Sequence, residues 1–214
     1  MLAKELDTPH RALADLWINN QVTNDIMKIL ICCECSQVLT SAFRKKGHDA
    51  YSVDLQPSYG NYPQYHYIAD AIEILHSDTW DLVIAHPPCT YLTKARAPVT
   101  FANSYQFLAT LPKIHAAHDF FMQFYNYRNC PIAIENPIPL KIASLPPYTQ
   151  IINPTQFGDK LSKTTCLWLH DLPPLLPTHA TGKCISYVFH VNSTSRRRSQ
   201  LSPYLADAMT TQWG

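Results

Sequence analysis

The chain has 214 residues, 46% hydrophobic and 15% charged, a balance that allows one α/β domain with a core and excludes a disordered polymer. Formal net charge is +1, which excludes a global basic footprint, so any attraction for nucleic acid has to be local. Five glycines against 17 prolines point to stiff loops.

Residues 1–26 read as an appendage. Its stretch Ala12–Ile18 has the pattern of a short amphipathic helix that either packs on the domain or meets a partner. The charged opening Met1–Asp7 is no signal peptide, and nothing approaches a membrane span. With an odd set of seven cysteines (Cys32, Cys33, Cys35, Cys89, Cys130, Cys166 and Cys184), reduced thiols in a cytoplasmic protein are expected. Cys32-x-x-Cys35 has the spacing of a zinc or redox pair, but no second pair accompanies it. Small buried core residues are the better reading, and no metal is expected.

Residues 27–214 read as a single domain. Met27–Cys33 is a buried first strand, Cys35-Ser36-Gln37 a turn, and Val38–Lys46 a helix closed by Gly47, with Val38, Ser41, Ala42 and Lys45 along one side. Ala50–Leu55 is a second strand, followed by a tyrosine-rich loop from Tyr59 to Tyr65, and His66–Asp70 a third. Ala71–His76 is a short helix and Trp80–Ala85 a fourth strand, opening into His86-Pro87-Pro88-Cys89. Two prolines fix two φ angles and push their predecessors away from helix, so this loop holds Cys89 in a set place. From Phe101 the pattern is helical, with a break expected at Pro112 and a core stripe of Ile114, Ala117, Phe121, Phe124 and Tyr125. Cys130–Ile134 is a fifth strand ending in Glu135-Asn136-Pro137. Thr165–Leu169 and Ile185–Phe189 read as strands, Arg196-Arg197-Arg198 as a basic cluster, and Leu205–Trp213 as a terminal helix. Strands alternating with helices predict a Rossmann-like α/β fold, mostly parallel, with helices on both faces.

Asp54, Asp70, Cys89 and Glu135 each close an apolar strand, so in a parallel sheet all four share one edge, where such sheets bind ligands. Either aspartate alone reads equally well as a turn or cap residue. A carboxylate after the second strand suits ribose hydroxyls. One after the third suits an exocyclic amine. If strands four and five are neighbours, about 4.8 Å apart, Cys89 and Glu135 flank one planar ring.

Pro87-Pro88-Cys89 resembles the catalytic loop of the cytosine-C5 DNA methyltransferases, and Glu135-Asn136-Pro137 resembles their Glu-Asn-Val motif. Glu34–His48 is similar to their first cofactor motif, Gln156–Gly158 with Lys163–Trp168 to their later strand motif, and Ala206–Trp213 to the closing helix of small phage-type members. The resemblance implies a methyltransferase fold and S-adenosylmethionine as cofactor, contacted by Glu34, Cys35, Ser36, Asp54, Leu55, Asp70, Ala71, His86 and Pro87. It implies Cys89 as the nucleophile at cytosine C6, Glu135 at N3 with a raised pKa, and Pro88 and Asn136 shaping the loop. Tyr91, Lys94, Arg96, Lys163, Arg196 and Arg197 become substrate contacts, Lys163 standing where the family uses an arginine.

The sequence departs from the family in two places. The turn Cys35-Ser36-Gln37 has no glycine to let a cofactor approach the backbone, and Leu169–Arg196 is too short for a large target-recognition region. The substrate is therefore duplex DNA, single-stranded DNA, or a free pyrimidine nucleotide such as dCMP. Two further readings stay open: an amino methyltransferase using His86-Pro87-Pro88-Cys89, and an inactive methyltransferase-like binding protein.

Overall fold

The structure, a computed structural model, describes residues 25–180, the backbone of 185–186, and 200–214. The expectations for residues 1–24, Cys184, Tyr187–Phe189 and Arg196–Arg198 lie outside the described residues.

Seven strands form one sheet: β1 Lys28–Cys32, β2 Asp49–Asp54, β3 His66–Ile68, β4 Leu82–Ala85, β5 Ile132–Pro137, β6 Gln150–Ile152 and β8 Thr165–His170. Their order is β3-β2-β1-β4-β5-β8-β6. The first five are parallel, β8 runs against both its neighbours, and β6 therefore follows the majority. The reversal at β8 and the strand β6 were not foreseen. β7 Leu161–Ser162 and β9 Ile185–Ser186 form a separate parallel pair.

The sheet is buried on both faces, because alternate residues of its central strands point into two different cores. Leu30, Cys32, Val83, Ala85, Ile132, Ile134 and Trp168 pack with Leu75 and with Ile114, Phe121 and Phe124. Ile29, Ile31, Leu82, Ile84, Ala133 and Leu167 pack instead with Leu39 and Phe43 and with Leu205, Met209 and Trp213. The helices involved are α2 Ala71–Ser77 and α4 Ser104–Tyr125 on the first face, and α1 Val38–Lys45 and α5 Pro203–Trp213 on the second. A short helix, α3 Ala97–Thr100, precedes α4. The side of α1 that packs inward carries Leu39, Thr40, Ser41 and Phe43, with Val38 and Ala42 partly buried beside them, while Lys45 is exposed. Gly47, at φ 95, sits just past its end, where a left-handed residue is needed.

Pro112 does not break the long helix, which runs unbroken from Ser104 to Tyr125. A proline there leaves the Leu108 carbonyl without its helical donor. Both residues face solvent, where water satisfies that carbonyl. Asn103 caps the helix by accepting from Gln106 N–H at 2.8 Å. No helix among the described residues is long and apolar enough to cross a membrane.

Candidate active site

Strand register places the first loop residue, His86, beside the carboxylate. The last residue of β4, Ala85, pairs with Ile134 of β5. His86 and Glu135 are therefore the next positions on neighbouring strands. His86 N–H donates to Cys32 O at 3.0 Å, tying the loop to β1. Leu92 and Thr93 N–H both donate to Cys89 O at 3.0 Å, and Thr93 bridges Pro139 in the segment after β5. Glu135 lies inside β5, not beyond it, because β8 pairs with it out to Pro137.

Glu135 and His86 are nearly buried, with side chains 13% and 14% exposed, and Oε2 lies 3.5 Å from His86 Nδ1. The Thr165 hydroxyl donates to Oε1. The expected rise in the Glu135 pKa is overturned. Burial does push the carboxyl up, but His86, the Lys163 ammonium and the Thr165 hydroxyl together hold it down at about 2. The Cys89 thiol is half-buried and is pushed up by that burial and by the Glu135 charge, with Lys163 pulling the other way. Thiol, carboxylate and ammonium thus lie within one another's fields. Glu135 and Lys163 also line a small surface recess with Thr165, Pro154, Ser202 and two leucines.

A second cleft, about 370 Å³, opens over the ends of β1 to β3 and is lined by Cys33, Asp54, Leu55, Ala69, Asp70, Ala71, Pro88 and Phe120. It lies on the β2 and β3 side of the place where strand order reverses between β1 and β4. Each aspartate spends one oxygen locally: Asp54 Oδ1 accepts from Gln56 N–H at 2.9 Å, and Asp70 Oδ1 caps α2 through Ile72 N–H at 2.7 Å. Asp70 is thus a helix cap after a strand that ends at Ile68, not the last residue of that strand. The other oxygen of each has no partner among the described residues. Two free carboxylate oxygens beside Leu55, Pro88 and Phe120 suit a hydroxylated, amine-bearing group with a flat apolar ring.

The glycine-free turn is organised differently. Glu34 is buried, and its carboxylate accepts from Leu39 N–H at 2.8 Å, Thr40 N–H at 3.2 Å and the Thr40 hydroxyl at 2.7 Å, capping α1. Ser36 points its hydroxyl at the same carboxylate, and Cys35 O accepts from Tyr59 N–H at 3.0 Å. Gln37, at φ 54, donates to Tyr62 O at 2.8 Å and accepts from Tyr62 N–H at 3.0 Å, latching the tyrosine-rich loop over the turn. A Cβ on Gly60 would lie 2.4 Å from that of Gln37, so only glycine fits there. Glu34, Cys35 and Ser36, expected as cofactor contacts, therefore organise the turn and do not line the cleft, and His86 faces Glu135.

Of the remaining expected residues, Pro87 is buried and Pro88 lines the cleft one residue before the thiol. Asn136 is fully buried, donating to Pro137 O while its own carbonyl has no partner. The Tyr91 ring carries the Arg96 guanidinium 4.7 Å above it and the Lys113 ammonium at 5.6 Å, and Lys94 is exposed nearby. Cys33, Phe120 and Thr165 were missed. Each looks like core in sequence, and only the fold turns them to the site. Among the described residues no group of His, Cys, Asp and Glu is placed to hold a metal ion. No protein-family model and no curated protein matches the chain.

Proposed function

We propose that the chain transfers a methyl group from S-adenosylmethionine to C5 of cytosine in DNA, through a covalent adduct between Cys89 and C6. The observation that carries this reading is the loop His86–Cys89, which meets a cleft with one residue and two charged groups with the next. Pro88 lines the larger cleft, while Cys89 lies in the fields of Glu135 and Lys163. A donor seated in the cleft is then one peptide unit from the thiol.

In the larger cleft, Asp54 takes the ribose hydroxyls, Asp70 the adenine amine, and Leu55 and Phe120 the faces of the base. When bound, S-adenosylmethionine supplies the electrophilic methyl group that C5 takes. The rest falls to the chain. Addition of Cys89 to C6 needs the thiol to lose a proton and N3 to gain one, so the two balance. A carboxyl held at about 2 is too strong an acid to keep that proton alone. The proton therefore rests on N3 of the adduct, whose N–H donates to the Glu135 carboxylate, and His86 Nδ1, 3.5 Å from Oε2, holds that carboxylate in place. Lys163 stabilises the thiolate before attack. Loss of the C5 proton to solvent then expels the thiol.

The test is label transfer from S-adenosylmethionine to cytosine-containing DNA. Wild type is expected to transfer, and Cys89→Ser is expected to lose at least about a thousandfold while keeping its circular dichroism and melting temperature. Full activity in Cys89→Ser rejects the covalent route.

A further inference from the structure

We propose that a single-stranded polynucleotide lies along the surface made by Tyr91, Lys94, Arg96, Phe101, Tyr105 and Lys113, with its unpaired bases on the exposed rings. This rests on the cytosine reading only for what happens at Cys89; strand binding stands apart from it.

Two observations made independently of the two cavities meet at this surface. The first is exposed aromatic area. Phe101 is 53% exposed and Tyr105 82%, and Phe101 stacks on Phe107 with centroids 5.7 Å apart. Single exposed rings are ordinary, but Phe101 just past the end of α3 and Tyr105 in the first turn of α4 form a shelf. The second is charge. Between Asp81 and Asp119 the sequence holds Lys94, Arg96 and Lys113 and no carboxylate, in a chain whose 17 basic and 16 acidic residues otherwise balance. Exposed apolar area alone would suit a protein partner or a second copy. Exposed rings beside cations that pair with no carboxylate among the described residues suit a polyanion carrying flat bases. A duplex hides those base faces, so the strand is single.

The surface is joined to the thiol. Tyr91 is two residues beyond Cys89, within the turn whose N–H groups close on the Cys89 carbonyl. The Lys113 ammonium, 5.6 Å from the Tyr91 ring, ties α4 to that turn. A free nucleotide offers one base where the shelf offers several rings, so the shelf selects a polymer.

Fluorescence anisotropy on the full chain tests this, with a labelled mixed-sequence single strand, the matching duplex, and dCMP as competitor across a salt series. The single strand is expected to bind more tightly than the duplex, to resist dCMP, and to weaken steeply as salt rises. Phe101→Ala with Tyr105→Ala is expected to cost roughly ten- to a hundredfold in affinity with an unchanged melting temperature. Lys94→Ala is expected to lower the salt slope by about one. Equal binding by the ring variant, duplex preference, or a dimer that the ring variant dissociates would each overturn the proposal. Strand binding without any covalent trapping at Cys89 supports the surface and removes the cytosine reading. Trapping with strand affinity unmoved by the ring variant does the reverse.

Discussion

At the scale of single residues, the site turns on how Glu135 is kept ionised in a nearly buried position. A buried carboxylate without partners would take up a proton, yet His86, Lys163 and Thr165 surround this one. Its folded pKa, about 2, lies below the ordinary value near 4.5. Stability from this contact is therefore present above about pH 4.5 and is lost as pH falls toward 2. The contribution is roughly 3 kcal/mol. Urea denaturation at pH 7 and pH 3 should show that loss, and Glu135→Gln should reduce it; an equal acid sensitivity in the variant would contradict the assignment. Lys163 opposes both burial and Glu135 at the thiol. Lys163→Gln is therefore expected to move Cys89 alkylation by iodoacetamide to higher pH, read by peptide mass spectrometry. An unmoved or lowered profile would mean the ammonium does not face the sulfur.

Among the elements, the turn after β1 and the helix α4 depart most from what their residues suggest. Without glycine, the turn is held by Glu34 capping α1 and by Gln37 clasping Tyr62 on both its backbone groups. Gln37→Ala would orphan the Tyr62 N–H and carbonyl and is expected to cost about 2–4 kcal/mol in urea denaturation. A cost near zero would show that the clasp is ornamental. In α4, Pro112 sits on the solvent side with its missing hydrogen bond exposed. Pro112→Ala restores the donor and is expected to stabilise the protein by about 1–3 kcal/mol. Destabilisation would indicate that the proline bends the helix to bring Lys113 to Tyr91.

For the molecule as a whole, a mostly parallel sheet between two helical layers carries both cavities along one edge, and much of that was legible in residues. Apolar runs at Lys28–Cys32, Leu82–Ala85 and Ile132–Ile134 announced the central strands, and Asp54, Asp70, Cys89 and Glu135 marked the edge. The length of α4 was not legible, because a proline's cost depends on whether its orphaned carbonyl meets water. The reversal of β8 was not either, since an antiparallel strand buried on both faces has the same apolar run as a parallel one. Nor was the ionisation of Glu135, because it is set by His86, Lys163 and Thr165, all distant in sequence. The central account reduces to one bond between sulfur and a pyrimidine carbon. Fluorine at C5 blocks the proton loss that releases the thiol, so incubation with 5-fluorocytosine DNA and S-adenosylmethionine should leave the oligonucleotide attached to the peptide containing Cys89, visible by mass spectrometry. Unmodified Cys89 after that incubation, with the strand bound and the cofactor present, would contradict it.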